Sequence, residues 1–544
     1  MPAFQVIHRD EGLTELVLNL IADPRTLDQP RTIVFALEAT PVKPLPPDFR
    51  RTLTGLGNTH TFTGGPGSYS HLVPAYKGSQ RHPTGWDGAW TPDGNMVNSP
   101  FPADWDLNRF FNLELAKTGK LYLPYQTLNY THLTRQLDPR TQGLEGPELW
   151  HIIGPEIECK GNGGWCMTPV HMQYRLYRYR DWIRHSSLRG FYFDNAYPIL
   201  CADRGHGCGY ALDDGRIQPT FTLFNMREFY KRLRTLIVAE GIEPCIMTHS
   251  TDTFMPAAYA FVDVMMDGET YRYRVPKETA PALAPPAPGA TVADADVTAA
   301  AATDTDGLAA ELIAAEAAAT PEAREPATDP APWRRYWSEY WPPEHFQVFG
   351  PPQHWGIMAV TMAYQKHGEE APADQVARNG SAFLAYLLLH DTEYYLGASR
   401  GARLSQAGFD LAEEMRFLPY WEPETRRALH APAPDVLVGG YQQGDLLLIV
   451  AFNRSRLPVR QLPVTVELGA LGWGEAGARA GVVEFPKDMK DRGEALAAAR
   501  RQVLAGGEGG TGGPAAGGGL AVTLDIEPHT FATATILCVP AERK

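Results

Sequence analysis

Between residues 120 and 269, short apolar runs ending in polar residues alternate with stretches of helical periodicity, and no other feature of the chain restricts its fold as strongly. The runs are KLYLPYQTLNY (120–130), ELWHIIGPEIE (148–158), GFYFDNAYP (190–198), EPCIMTHST (243–251) and FVDVMMDGE (261–269). Before the third run, HMQYRLYRYRDWIRHS sets Leu176, Tyr179 and Ile183 at helical spacing. Before the fourth, Met226, Phe229, Tyr230, Leu233 and Ile237 form one apolar stripe, and Gly241 closes the helix. This alternation predicts βαβ units and a parallel sheet. A first strand near residues 59–62, with two further units in FQVFGPPQHWGIMAV and SAFLAYLLLHDTEYY, brings the count to about eight, the number of a (β/α)8 barrel.

The barrel accounts for residues 51–419 only. Residues 1–50 carry FQVI, LTELVLNLI and TIVFALEATPV, read as a partial set of N-terminal β-sandwich strands that leads through PVKPLPPDF into the barrel. Residues 276–331 are rich in Pro, Ala and acidic residues and cannot bury enough apolar surface to order themselves, so they read as a disordered insertion. From 420 the period changes to two in DVLVGGY, DLLLIVAFN, LPVTVEL and LAVTLDIEPHTFATATILCV, which predicts an antiparallel β-sandwich over 420–544.

A formal net charge of −14 disfavours a nucleic-acid partner, and no apolar run reaches the ~20 residues of a membrane span. As written, the chain has no signal peptide and reads as cytoplasmic; a truncated N-terminus would leave it secreted or periplasmic. Its 12 Trp, 23 Tyr and 22 Phe suit stacking on sugar rings as well as a large core. The expected partner is a carbohydrate, no cofactor is expected, and the oligomeric state is not legible.

In parallel α/β folds the chemistry lies at the carboxyl ends of the strands. GFYFDN delivers Asp194 and Asn195 to such an end, and FVDVMMDGE delivers Asp267 and Glu269. Two facing carboxylates are what glycosidic cleavage needs, one to protonate the leaving oxygen and one to attack or stabilise the developing cation. Asp194 is read as nucleophile or charge stabiliser and either Asp267 or Glu269 as acid/base. Asn195, Tyr125, Gln126, Asn129, His151, Glu156, Trp165, His249 and Trp355 are candidate substrate contacts. His249 lies beside Ser250 and Asp252, but no GxSxG elbow accompanies them, and neighbours in sequence do not form a triad.

Cys159 and Cys166 have six residues between them, as do Cys201 and Cys208, with His206 inside the second pair. These five side chains could gather around zinc, form disulfides or stay as thiols. The C-x2-C spacing of common zinc sites is missing, so no metal is assigned to the chemistry.

ALEATPVKPLP, GFYFDNAYP, the loop HGCGY and the C-terminal β pattern together resemble bacterial proteins related to glycoside hydrolase family 123. The resemblance spans roughly residues 30–275 and 332–540, and implies a (β/α)8 barrel between β-sandwich domains and a carbohydrate substrate. That family carries an adjacent Asp-Glu pair, the Glu as acid/base and the Asp assisting the substrate's N-acetyl group. Here the pair corresponds to Asp194 and Asn195, so the acid must come from Asp267 or Glu269. The alternative expectation is a carbohydrate-binding protein on a barrel that has lost its catalysis; a metal-dependent hydrolase using the Cys and His loops is the third.

Overall fold

The computed structural model describes residues 4–9, 13–21, 26, 35–46, 49–52, 62–63, 113, 117, 121–123, 125–128, 166–212, 214–250, 255–268, 337–361, 373–394, 400–473, 479–487, 489–505, 512–514 and 519–540. The chain divides into two units, Met1–Ala39 and Thr40–Lys544. The first holds an antiparallel hairpin of β1 (Phe4–His8) and β2 (Thr14–Leu18). Alternate burial along both strands matches the period-two pattern of FQVIH and TELVL.

The second unit is organised around a parallel sheet. After the short helix α1 (Phe49–Thr52), β3 (Phe62–Thr63) pairs with β4 (Leu121–Tyr122), and β5 (Tyr125–Thr127) follows two residues later. Next come helix α2 (Pro169–Ser186) and strand β6 (Tyr192–Asp194). The connection after β6 makes two small ribbons, β7 (Leu200–Cys201) with β10 (Thr220–Phe221) and β8 (Tyr210–Ala211) with β9 (Ile217–Gln218). Helix α3 (Leu223–Ala239), β11 (Met247–His249), the turn of helix α4 (Pro256–Tyr259) and β12 (Val264–Asp267) continue the rhythm. Three short helices, α5 (Trp337–Tyr340), α6 (Pro343–Phe349) and α7 (Pro352–Trp355), precede β13 (Met358–Thr361), and α8 (Ala373–Leu389) precedes β14 (Glu393–Tyr394).

The main sheet runs β5-β6-β11-β12-β13-β14, every pair parallel and its members following one another in chain order, with the ribbons β7–β10 in the connection from β6 to β11. That singly wound order is the one a barrel uses, in contrast to the reversal of a doubly wound sheet. β5 bonds directly to β6, and residues 148–158, expected to form a strand, lie outside the described residues. Asp194 and Asp267 sit two strands apart, with β11 between, as the sequence count has them.

Side chains alternate across this sheet and build two apolar layers. Phe191, Phe193, Ile246, Met265 and Ile357 pack on the helices with Tyr179, Trp182 and Ile183 of α2 and Phe229, Tyr230 and Leu233 of α3. Leu123, Tyr192, Met247, Val264, Met266, Met358 and Val360 meet on the opposite face, with Phe49. Each fully buried aromatic contributes about 1.5–3 kcal/mol, so Phe191 and Phe193 anchor β6 strongly. Gly190 is required just before β6, because a Cβ there would lie 1.9 Å from the Cys245 carbonyl oxygen. The α3 stripe is buried as its spacing predicts, and Gly241 at φ 75° ends the helix with Ile242 N–H on the Ile237 carbonyl.

After α9 (Arg400–Gln406) the chain turns antiparallel. One sheet has five strands, β15 (Arg416–Leu418), β17 (Val436–Gln443), β18 (Leu446–Asn453), β23 (Phe531–Val539) and β20 (Arg479–Val483). The other has β16 (Leu429–His430), β19 (Val459–Val466), β22 (Leu520–Ile526) and β21 (Gly512–Pro514). Leu447, Ile449 and Ile536 of the first share a core with Val464, Val522 and Ile526 of the second. The other face of the five-stranded sheet packs on α8, where Tyr441 donates to the Leu388 carbonyl at 2.6 Å. Among the described residues no helix is long and apolar enough to cross a membrane. The Pro- and Ala-rich segment 276–331 lies outside the described residues.

Candidate functional site

The site begins where β6 ends. Tyr192 belongs to the layer facing away from the helices, and Asp194, two residues on, takes the same face. β11 lies beside β6 with Met247 opposite Tyr192, so His249 also takes that face. The two tips meet, with His249 Nδ1 donating to Asp194 Oδ1 at 2.8 Å. The same oxygen accepts the backbone N–H of Asn195 at 2.8 Å, and Asn195 Nδ2 reaches Oδ2 at 3.4 Å. Asn195 adopts φ 46°, a left-handed conformation that Asn tolerates better than most side chains and that lets its own N–H turn back on the carboxylate. The main chain is pinned too: Leu128 N–H donates to the Asp194 carbonyl, Ala196 N–H to that of His249, and Tyr259 hydroxyl to that of Ala196.

Burial differs within the pair. The His249 side chain is 3% exposed, whereas that of Asp194 is 19% exposed. A carboxylate accepting from two N–H donors is fixed in one orientation while part of it still meets solvent. Such a group can receive a developing cation or bond a sugar hydroxyl.

The remaining candidates separate clearly. Asp267 is buried and, two residues after Met265, follows the helix-facing side rather than that of Asp194. Its charge is felt by Tyr259, whose phenol is held well above its usual range by burial first and then by Tyr230 and Asp267. Gln126 pairs across β5–β6 with Phe193 and likewise faces the helices, where its Oε1 accepts from Tyr179. Trp355 precedes β13, at the amino ends of the strands, and its indole donates to the Val348 carbonyl at 2.7 Å. Gln126 is thus engaged in the Tyr179 network and Trp355 in a contact with the chain before β13. Ser250 Oγ donates to the Met266 carbonyl, so its hydroxyl is engaged away from a triad. Tyr125 lies on β5 opposite Tyr192. Glu269, Asn129, His151, Glu156, Trp165 and Cys159 lie outside the described residues.

Two further clusters stand out, the first of them unread in the sequence and the second drawn from the Cys and His residues singled out there. Glu393 pairs with Val360 and takes the same face as Asp194, but it is fully buried and accepts from the N–H groups of Tyr394, Arg400 and Gly401. Next to it, Asp391 accepts from Arg50 Nε and Nη2 at 3.1 and 2.6 Å, from Arg400 Nη1 at 3.0 Å and from Gln353 at 2.5 Å. A cavity of about 600 Å³ opens near this network, lined by Arg50, Gln353, His354, Phe417 and Trp421 among others. It adjoins residues that precede β13 and does not include Asp194 or His249. The second cluster joins Cys166, Cys201 and Cys208 to His206 beyond β6, all buried. Burial, with Cys166 beside it, pushes the Cys208 thiol up to about 11.

No family model and no curated protein matches the sequence. Among solved structures, the chain is similar to an Anoxybacillus alpha-amylase at 9% identity and TM-score 0.37, covering 90% of this chain and 88% of that one. A noncanonic maltogenic alpha-amylase from Thermotoga neapolitana gives 11% identity and TM-score 0.37, with 89% of each chain covered. A family 30 subfamily 8 xylanase from Clostridium acetobutylicum gives 9% and 0.32, covering 80% and 84%. All three are glycoside hydrolases.

Proposed function

We propose that the chain is a glycoside hydrolase acting at the carboxyl ends of a closed (β/α)8 barrel, with residues 51–419 as the catalytic domain, 420–544 as a β-sandwich and 1–50 as partial N-terminal strands. The observation that carries this reading is the Asp194–His249 pair on neighbouring strand tips, on the face turned away from the helices. Asp194 attacks or stabilises the anomeric carbon as the glycosidic bond breaks, and His249 holds its carboxylate in place. Glu269 supplies the proton to the leaving oxygen. It follows Gly268 at φ 89°, where the chain leaves the strand, whereas Asp267 follows the helix side. The expected partner is a carbohydrate, bound with hydroxyls on Asp194 and Asn195.

A second reading has its own support. Asp267 faces the helices and Glu393 is spent on the start of α9, leaving Asp194 as the carboxylate that meets solvent on its face among the described residues. A carbohydrate-binding protein without catalysis needs no second acid.

A panel of 4-nitrophenyl and 2,4-dinitrophenyl glycosides separates the two. The hydrolase reading expects turnover that Asp194→Ala lowers about 10³-fold or more. It also expects Glu269→Gln to lose far more rate on the nitrophenyl than on the dinitrophenyl substrates, whose leaving group needs no proton. Sugar binding by calorimetry with no turnover on any substrate would favour the binding protein instead.

A further inference from the structure

We propose that Cys166, Cys201, His206 and Cys208 form a structural zinc site that ties the connection after β6 to the start of α2. The four residues come from two places. Cys166 stands just before α2, its carbonyl accepting Thr168 N–H at 2.8 Å and lying 3.1 Å from His171 Nδ1. Arg175 Nε donates to His171 Nε2, so Nδ1 carries the proton and donates to that carbonyl. Cys201 ends β7, and a 3-10 turn over Arg204–His206 brings His206 and Cys208 back beside it.

That turn is built to hold them. Asp203 accepts Gly205 N–H on its side chain and the N–H groups of His206 and Cys208 on its carbonyl. Gly207 and Gly209, at φ 74° and 68°, make the two left-handed steps that reverse the chain around Cys208. Gly209 N–H is fixed by Thr220 Oγ1 at 2.8 Å.

Two of the separations are those of a tetrahedral shell, and Cys208, hydrogen-bonded to Cys166, closes on the other three as the ion enters. With Zn–S near 2.3 Å and Zn–N near 2.0–2.1 Å, two sulfurs stand about 3.8 Å apart and sulfur and nitrogen about 3.6 Å apart. Cys166 Sγ and Cys208 Sγ are 3.6 Å apart, and Cys201 Sγ is 3.5 Å from His206 Nδ1. The donor atoms of Cys166, Cys201 and His206 all lie within 4.8 Å of one another. His206 is 9% exposed and the cysteines 0–5%, so the ring nitrogen faces sulfur rather than water. Three soft sulfurs and one imidazole select zinc over calcium or magnesium. Binding releases three thiol protons to solvent, and three thiolates with a neutral imidazole leave the zinc shell at a net charge of −1. Four protein ligands leave no open position, so the ion braces Asn195 and the connection beyond it and takes no part in bond cleavage.

The test uses the full chain, purified in reductant without chelator, with zinc measured by mass spectrometry. The expected result is about one zinc per chain, surviving dialysis but released by a mercurial that caps thiols, with a fall in Tm on release. Cys208→Ser and Cys166→Ser should each leave less than about a tenth of that zinc, while Cys538→Ala keeps it. Should the serine variants fail to fold, cobalt exchange into the wild-type chain gives the same answer. A strong thiolate-to-cobalt charge-transfer band with intense tetrahedral visible bands supports the site. Failure of the reduced chain to bind zinc or cobalt, zinc retained by both serine variants, or a Cys166–Cys208 disulfide in peptide maps would each overturn it.

Discussion

Two polar clusters sit on the same parallel sheet, and their difference separates a site from a brace. Around Asp391, two arginines, a glutamine and the neighbouring Glu393 leave the carboxylates fully buried and saturated with donors. Around Asp194, one histidine and one asparagine hold a carboxylate that still meets solvent. The first has more charges and sits near a cavity of about 600 Å³, yet its carboxylates are already taken up by donors. The proposed site therefore rests on partial satisfaction of a carboxylate at the carboxyl end of a strand rather than on charge density.

The largest expected effect breaks the brace. Asp391→Ala leaves Arg50 and Arg400 buried without their shared carboxylate and should cost about 3–5 kcal/mol in denaturant unfolding. The rate per folded molecule should hardly change. A loss below about 1 kcal/mol would mean the network is not the brace described.

Acid should act on the same region next. Burial lowers His390 from 6.5 to about 4, and its Nδ1 lies 2.8 Å from the Tyr386 carbonyl. The unfolded chain therefore binds this proton below about 6.5, and the folded chain only below about 4. Stability is flat above pH 6.5 from this group and falls by up to about 3 kcal/mol as pH drops to 4, with His529, also lowered to about 4, acting in the same direction. Unfolding measured across that window should flatten in His390→Gln; an unchanged slope would contradict the assignment.

Smaller changes sharpen the site. His249→Ala should lower turnover about 10²-fold, while His249→Asn, which keeps a donor near the Nδ1 position, should recover most of it. Equal losses in both would reduce His249 to packing. Asp267→Asn, on the helix side, should change turnover by less than about 3-fold; a large loss would return Asp267 to the acid/base role.

The sequence carried much of this frame. The α3 stripe, the β6 tip at Asp194 and the period-two strands beyond 420 were legible because each depends on local periodicity. The face that Asp267 takes was not, since a tip reading MMDGE alternates equally well in either phase and only the packing of Met265 on the helix side and Met266 on the other fixes it. For the same reason Gln126 read as a strand-end ligand when it serves the Tyr179 network. The Asp391 network joins α1 to residues some 340 positions later, a partnership no spacing announces. The gathering of Cys166, Cys201, Cys208 and His206 was open to pattern reading as one of several outcomes, but which residues of the two C-x6-C pairs approach one another depends on a glycine turn that spacing does not announce. TIVFALEATPV reads as a third N-terminal strand; its residues 32–34 lie outside the described residues, and 35–42 carry no strand assignment.

The most direct measurement pairs activity with stability in one variant. Asp194→Ala and the wild type are compared for hydrolysis of the aryl glycosides and, on the same samples, for Tm. The proposal predicts that turnover falls about 10³-fold or more while Tm shifts by only a few degrees, because Asp194 is partly exposed and its pinned main chain remains. Full activity in the variant, or loss of activity only together with unfolding, would contradict it.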